Sequence, residues 1–424
     1  MPSQVIDMNC PTRPVALLFA LVAACPGQAS AQAQSLPSPL GLHDVIRIAA
    51  ERRAEIEGAR ARVRAGQERM IIVSALADPM VSPSLDHLPF TLEGADFSVT
   101  FEQQLPLSGI RAHRRASALA DVNLRRAIAN RTALDLGAEA ANAYLMLADR
   151  RRTAALMAEQ MTFAREVVSA ANARYASGTA PQSDVLRAEV EVARLEAAGR
   201  SLAGEVRAAE AMLNTSLGFD ADRSVPEQRL PALAQPIPAW SAVKSQVMSR
   251  PELAGGAAEV ARAEADIQVM RDMFRPMATI RTGPSYTMAE GAGWMAMIGF
   301  SVPIWRSKLH AGVAEAQAMR TMAEADLRAM ARMIQGEAAV ALGQLQATGD
   351  RRTALTTDVL PRAQFAVESA VASYAAGQLP LVSVIDAIQA LRLVQSEVVA
   401  ADTQLGLAWT RLGRAVGSYE AIVQ

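Results

Sequence analysis

The chain repeats itself at an interval of nearly 200 residues, and this duplication limits its possible folds more than any other feature. Prolines and their neighbours recur at an interval of 197 residues, and a Tyr-x-x-Gly motif recurs at 199. The matching segments are Arg53–Ile56 with Arg250–Leu253, Asp78–Met80 with Arg275–Met277, Leu105–Leu107 with Val302–Ile304, and Tyr175–Gly178 with Tyr374–Gly377. Collinear matches of this kind indicate two copies of one structural unit.

The matching segments also set the predicted domains. The first repeat covers residues 32–218 and the second covers 240–418. Residues 219–239 contain four prolines, which predicts a non-helical linker between the repeats. Residues 419–424 are left as a short C-terminal tail.

Each repeat contains one block in which an alternating pattern replaces the Ala-rich pattern. These blocks are residues 79–106 and 276–303, and both are rich in Gly, Pro, Ser and Thr. Apolar residues share one parity in each block, and the two repeats agree on it: Phe97, Val99, Phe101 and Leu105 in the first, and Trp294, Ala296, Ile298, Phe300 and Val302 in the second. A period of two predicts strands with one apolar face.

The rest of each repeat is a run of strong helix formers. Only 4% of the residues are aromatic although 51% are hydrophobic, because the apolar excess comes mostly from alanine, which suits closely packed long helices. The helix between Pro106 and the first tip would be roughly 100 Å long at 1.5 Å per residue. Pro361 should kink its counterpart. We predict helices over 42–77, 110–176, 182–217, 240–275, 307–376 and 381–417, with reversal tips at 177–183 and 376–382.

The N-terminus predicts export. Residues 15–24 form an apolar run that is too short to span a bilayer and is typical of a signal-peptide core. Two processing sites stay open. Ala29-Ser30-Ala31 predicts a signal peptide over 1–31, whereas the segment ending at Cys25 resembles a lipoprotein signal over 1–24 with Cys25 acylated.

Composition excludes several classes of protein. Lys and Arg total 42 against 43 Asp and Glu, a balance that argues against a nucleic-acid partner. Both cysteines lie in the first 25 residues, which excludes a disulfide scaffold or a Cys-based zinc site in the body of the chain. The sequence holds no triad, metal cluster or cofactor loop, so we predict no enzyme, no catalytic residue, no bound metal and no cofactor.

Two such repeats behind a signal peptide resemble the TolC family of outer-membrane efflux channels, over about residues 40–420. The most specific motifs lie at the tips: Tyr175-x-x-Gly178 with Asp184-Val-Leu-Arg187, and Tyr374-x-x-Gly377 with Ser383-Val-Ile-Asp386. The segments Gln104–Gly109 and Phe300–Trp305 are similar to the family's strand-to-helix exits. Within the family the chain looks most like the heavy-metal branch (CzcC/CusC-type).

The resemblance implies a mainly α fold with a small β part. Long antiparallel α-helices would form a coiled-coil barrel in the periplasm. Four strands per chain would join a trimeric, twelve-stranded transmembrane β-barrel in the bacterial outer membrane, where Trp294 is a candidate interface aromatic. The implied partners are two further copies of the chain in a homotrimer, a periplasmic adaptor (membrane fusion protein), an inner-membrane pump of the resistance-nodulation-division (RND) type, and outer-membrane lipid.

The resemblance also assigns roles at the tips. Asp386, Ser383 and Tyr374 match the positions of the family's periplasmic gate, and three copies of Asp386 would form an acidic ring that favours cations. The arginine of the family's gate latch is replaced by Leu379, so the latch must differ. The residues matching the tips that face the adaptor are Gly178, Asp184 and Gly377.

The function implied is a passive exit channel of a tripartite efflux system, with heavy-metal cations as the expected cargo. A multidrug or other small-molecule duct of the same family is the first alternative. A periplasmic coiled-coil adaptor is the second, and two helical hairpins with only short strand blocks argue against it.

Overall fold

Four helices of 35 residues or more, arranged as two antiparallel hairpins, dominate the computed structural model. The structure describes residues 36–86, 96–230, 236–287 and 289–419. The predicted signal segment with Cys25 lies outside these ranges, as do residues 420–424. Everything below concerns the unit that begins at Pro37.

The two repeats have matching element orders. The first contains β1 (Leu40–Gly41), α1 (Leu42–Arg52), α2 (Ala54–Ser74), β2 (Met80–Asp86), β3 (Asp96–Pro106), α3 (Ile110–Ala176) and α4 (Gln182–Ser216). After β4 (Gln228–Arg229), the second contains α5 (Trp240–Val247), α6 (Pro251–Asp272), β5 (Met277–Thr287), β6 (Gly291–Phe300), α7 (Arg306–Ala354), a π-helical turn (Leu355–Val359), α8 (Leu360–Ala375) and α9 (Leu381–Val416). Helix α3 packs against α2, α4, α6 and α9, and α7 packs against α6 and α9.

The N-terminal helix of each repeat, predicted as one piece, is broken in two. The breaks fall at Arg53 and at residues 248–250, and Arg53 and Arg250 both have extended backbone. Pro251 explains the second break, because a proline disfavours helical backbone at the residue before it. Arg53 adopts the same conformation without a proline, and its guanidinium binds Glu55, Glu139 and the carbonyl of Ser216. The ion pairs of the arginine therefore stabilise the first break.

The second arginine repeats this arrangement with more burial. Arg250 pairs with Glu252 at 2.6 Å and with Glu337 at 3.0 Å, and its side chain is 4% exposed. Arg414 of α9 adds a third bond, to Glu252 at 2.8 Å. Burial alone would raise the pKa of Glu252, but the hydrogen bonds from Arg250 and Arg414 outweigh it and lower the pKa to about 2. This cluster links the start of α6 to the end of α9.

At Pro361, where a kink is predicted, a π-helical turn over Leu355–Val359 is followed by α8 with Pro361 near its start. Proline cannot donate the backbone hydrogen bond that a continuous α-helix requires. Widening the preceding turn accommodates that loss without ending the helix. Helix α3 is continuous over the corresponding stretch of the first repeat.

A parallel pair of two-residue strands, β1 with β4, was not predicted. Tyr144 fixes this pair, because its buried hydroxyl donates to the carbonyls of Leu40 (2.9 Å) and Arg229 (2.6 Å). Strands this short carry no periodicity, so sequence pattern alone could not reveal them.

The remaining strands form one antiparallel sheet in the order β2-β3-β5-β6. Its register places Phe101 opposite Val81 and Thr282, and Glu102 opposite Met80 and Arg281. One face carries exposed apolar side chains, which include Val81, Leu85, Phe97, Phe101, Ile280, Trp294, Ile298 and Phe300. The other face is mostly polar. None of the helices in the described ranges combines the length and the apolarity that crossing a membrane requires.

Gly283 is required by the close approach of β3 to β5. A Cβ atom at this position would lie 1.9 Å from the carbonyl oxygen of Val99. We expect Gly283→Ala to force the two strands apart and to destabilise the folded protein by about 1–3 kcal/mol. The thermal midpoint in detergent measures this. Gly293→Ala is the matched control, because its Cβ would meet nothing closer than 3.6 Å. Equal midpoints for the two variants would contradict the account.

Candidate functional site

The two helix reversals use the same turn. Gly178 and Gly377 have positive φ values of 70° and 73°. The amide after each glycine donates across the turn, from Thr179 to the carbonyl of Arg174 and from Gln378 to that of Ser373, both at 2.9 Å. This is the Schellman arrangement, whose left-handed residue is usually glycine. A Cβ at either glycine would meet nothing within 4 Å, so the backbone conformation requires glycine and the packing does not.

The return helices begin in the same way. Pro181 and Pro380 form the N-caps of α4 and α9 with nearly identical extended backbone. Asp184 and Ser383 occupy the third position of their helices, and their amides donate to the preceding proline carbonyls at 3.1 Å. The carboxylate of Asp184 is favoured near the positive end of a helix dipole. Ser383 brings no such charge to the second tip.

Asp386 lies one helical turn beyond Ser383 on α9. Its side chain is exposed and forms no ion pair within the described ranges. The equivalent residue of the first repeat is Arg187, also exposed. The two tips therefore present opposite charges at matching positions.

A small apolar core joins the two hairpins just above the tips. Its buried members come from both repeats and are Ala171, Val185, Ala188, Ala370, Tyr374, Leu381 and Val384. Tyr374 is 9% exposed, whereas its repeat counterpart Tyr175 is 47% exposed. The duplication has thus left one tyrosine between the hairpins and the other on the surface.

Arg174 fixes Tyr374 in this position. Its guanidinium carbon lies 4.2 Å from the centroid of the Tyr374 ring. Its Nη1 donates to the carbonyl of Tyr374 at 2.6 Å. One side chain of the first hairpin therefore makes a cation–π contact and a charge-assisted hydrogen bond with the second. We call this pair the tip clamp.

The tip clamp is the feature that sequence reasoning missed. The resemblance pointed to Tyr374 and to an altered latch, but Arg174 belongs to the other repeat and precedes its motif by one residue. The hydroxyl of Tyr374 is buried and has no hydrogen-bond partner in the part of the chain that is described. The ring and the backbone carbonyl make the contact, and the hydroxyl does not.

A second link lies higher between the hairpins. The buried carboxylate of Glu191 on α4 accepts hydrogen bonds from Arg392 and from Gln389 (3.1 Å), both on α9. Gln160 and Gln395 join α3 to α9 at 3.2 Å. These contacts line a cavity of about 450 Å³ between the hairpins.

This architecture is typical of a protein that forms the wall of a duct. Paired long helices make up most of it, a sheet with one apolar face lies at one end, and the two helix-reversal tips lie at the other. Residues 45–219 and 233–418 match the family of outer membrane efflux proteins. The chain belongs to this family. It is an outer-membrane efflux channel protein and not an enzyme.

Individual relatives agree with this assignment. The pyoverdine export outer membrane protein OpmQ of Pseudomonas putida is 25% identical over 90% of this chain and 85% of its own length. The crystal structure of CusC has a TM-score of 0.77 at 16% identity, covering 89% of this chain and 92% of CusC. The open state of the MtrE outer membrane channel of Neisseria gonorrhoeae has a TM-score of 0.73 at 17% identity, covering 90% of each chain.

Proposed function

We propose that the protein is the exit duct of a tripartite efflux assembly, acting as a homotrimer with a periplasmic adaptor and an inner-membrane pump of the RND type. The observation that carries this proposal is the pair of duplicated tips, which the tip clamp and a small apolar core hold together side by side. A passive duct in the outer membrane must close at rest, and the tips are the free ends of the two hairpins.

The open edges of the sheet support three copies. Strands β2 and β6 have no neighbour on their outer sides among the described residues. Four strands are too few for a barrel, whereas three copies give twelve and remove every edge. The apolar face would then meet lipid, with Trp294 near one membrane interface. Acylation of Cys25 would add a second anchor, and labelling with a radioactive fatty acid distinguishes it from cleavage after Ala31.

The tip residues divide into two proposed roles. Asp386, Ser383 and Tyr374 form the periplasmic gate, with Asp386 as the charged constriction. Gly178, Asp184 and Gly377 form the surface that the adaptor contacts, where the bare glycine backbones allow close approach.

We expect Asp386→Ala to raise the resting conductance, because a smaller side chain would widen the proposed constriction. We also expect it to weaken cation selectivity, because three carboxylates at a constriction attract cations and repel anions. Recordings from the purified protein in planar bilayers measure both. Arg187→Ala, at the repeat counterpart, is the matched control and should change neither in that direction. Unchanged conductance and unchanged selectivity in Asp386→Ala would reject the gate assignment.

The proposed cargo is a heavy-metal cation, which rests on the branch resemblance and agrees with an acidic constriction. The second candidate is a small organic molecule, which the relative named for pyoverdine export favours. The contacts described above do not bind either cargo, since a duct meets its substrate only in transit.

Growth of a deletion strain tests the cargo. The panel contains Zn, Co, Cd, Ni, Cu and Ag salts, dyes and antibiotics, and the secretion of iron-chelating compounds is measured in parallel. Hypersensitivity to one metal group, reversed by the intact gene, would support metal efflux. Sensitivity to organic compounds alone, or loss of chelator secretion, would replace it with the second candidate.

A further inference from the structure

The polar face of the sheet carries one charged pair in the middle of its strands. Arg281 on β5 donates from Nε (3.0 Å) and from Nη2 to the same carboxylate oxygen of Glu102 on β3. The two residues are direct cross-strand neighbours. No charged residue occupies the apolar face of these strands.

The two faces of β3 differ in exposure and in polarity. Ser98 and Thr100, on the face that carries this pair, are 7% and 8% exposed, whereas Phe97 and Phe101 on the opposite face are 47% and 44% exposed. Transmembrane barrels alternate apolar residues that face lipid with polar residues that face the interior. When this sheet closes on itself, the face with the pair therefore lines the interior.

No other charged residue of the described strands lies in the same cross-strand row as this pair. The register gives one cross-strand row of Met80, Glu102, Arg281 and Met297, so the flanking members are uncharged. The nearest other charged positions on this face are Asp96, six residues away along β3 or about 20 Å, and its cross-strand partner Asp86 on β2. Arg281 is 40% exposed and Glu102 is 12% exposed, so the guanidinium covers the carboxylate on this face.

We propose that the Glu102–Arg281 pair sets the charge selectivity of the strand-lined section of the duct. The inference rests on the proposed function, because it requires three chains to close around a lumen. Each pair is neutral overall, so cargo of either sign can pass this level of the strands. Loss of either partner would leave a ring of three like charges at one height, which is the arrangement that ion-selective pores use.

Single-channel recordings under a salt gradient test the proposal. All variants are made in an Asp386→Asn background, so that the tip ring does not determine the reversal potential. Arg281→Gln is expected to raise the ratio of cation to anion permeability several-fold, and Glu102→Gln to lower it several-fold. The double variant Glu102→Gln/Arg281→Gln is the matched control and should return to the parent ratio.

A second variant keeps the test valid if a single variant does not assemble. Glu102→Cys/Arg281→Gln carries no charge during folding, and the chain has no other cysteine beyond Cys10 and Cys25. A cationic thiol reagent applied to assembled channels should shift the ratio toward anions, and an anionic reagent should shift it toward cations. Unchanged ratios in conducting channels would overturn this inference. A parent protein that forms no channel would overturn the proposed function instead.

Discussion

Arg174→Ala is expected to give a folded duct that leaks at rest. Removing the guanidinium removes both contacts of the tip clamp at once. A cation–π contact shielded from water contributes about 2 kcal/mol, and a hydrogen bond from a charged group contributes about 1.5–3 kcal/mol. Even a net loss of about 2 kcal/mol changes the ratio of closed to open tips roughly thirtyfold. Resting conductance in planar bilayers should rise accordingly.

Three further variants sharpen this prediction. Tyr175→Ala is the matched control, because Tyr175 is the repeat counterpart of Tyr374 but lies on the surface. Tyr374→Phe should behave as the wild type, since the hydroxyl makes no hydrogen bond within the described ranges. Arg174→Lys should leak to an intermediate degree, because an ammonium keeps the charge but loses the planar stacking. A closed Arg174→Ala channel, or a Tyr374→Phe channel as open as Tyr374→Ala, would contradict the clamp.

Glu252→Gln is expected to destabilise the helical part of the chain by about 3 kcal/mol. Glu252 is 8% exposed and receives hydrogen bonds from Arg250 and Arg414. Removing one partner of a buried ion pair leaves the other charges uncompensated, at a typical cost of 3–5 kcal/mol. The midpoint of urea unfolding at neutral pH, followed by helical circular dichroism, measures the loss.

The duplication supplies a control for this prediction. Glu55 pairs with Arg53 in the same way, but its side chain is 51% exposed. We expect Glu55→Gln to cost less than about 1 kcal/mol, because exposed ion pairs are screened by water. Equal losses in the two variants would show that burial does not distinguish the clusters.

The pH dependence of stability follows from the same carboxylate. The pKa of Glu252 falls from its ordinary value of 4.5 to about 2 in the folded protein. Its ionised form therefore stabilises the fold above pH 4.5, and this contribution is lost as the pH falls from 4.5 toward 2. Unfolding midpoints between pH 6 and pH 3 should drop less for Glu252→Gln than for the wild type. A drop of the same size in both would contradict this assignment.

Much of the fold could be predicted because the sequence patterns that indicate it extend over many residues. The continuous run of helix formers gave α3 its bounds, and the alternation around Phe97 and Trp294 identified the apolar face of the sheet. The break at Arg53 could not be seen, because it depends on an ion pair with Glu139, 86 positions away. The break at Arg250 has a local signal, Pro251, which the predicted helix over 240–275 passed over. The π-helical turn before Pro361 could not be predicted, because proline removes a donor without fixing how the helix adjusts.

The tips, too, could be predicted only in part. The glycines and prolines of both reversals follow from local backbone requirements, so Gly178 and Gly377 were recognisable from the sequence. The resemblance pointed to Tyr374 as a gate residue, but nothing pointed to Arg174. Arg174 contacts it across 200 residues of chain, and the repeat counterpart of Arg174 is Ser373, so the duplication itself gives no hint of the pairing.

Single-channel recording from the purified full chain in a planar bilayer tests the central claim most directly. We expect detergent-extracted trimers to insert and conduct ions, with a small resting conductance because the tip clamp is closed. Trimers that are folded by circular dichroism, insert into the bilayer and carry no current in either the wild type or Arg174→Ala would contradict it.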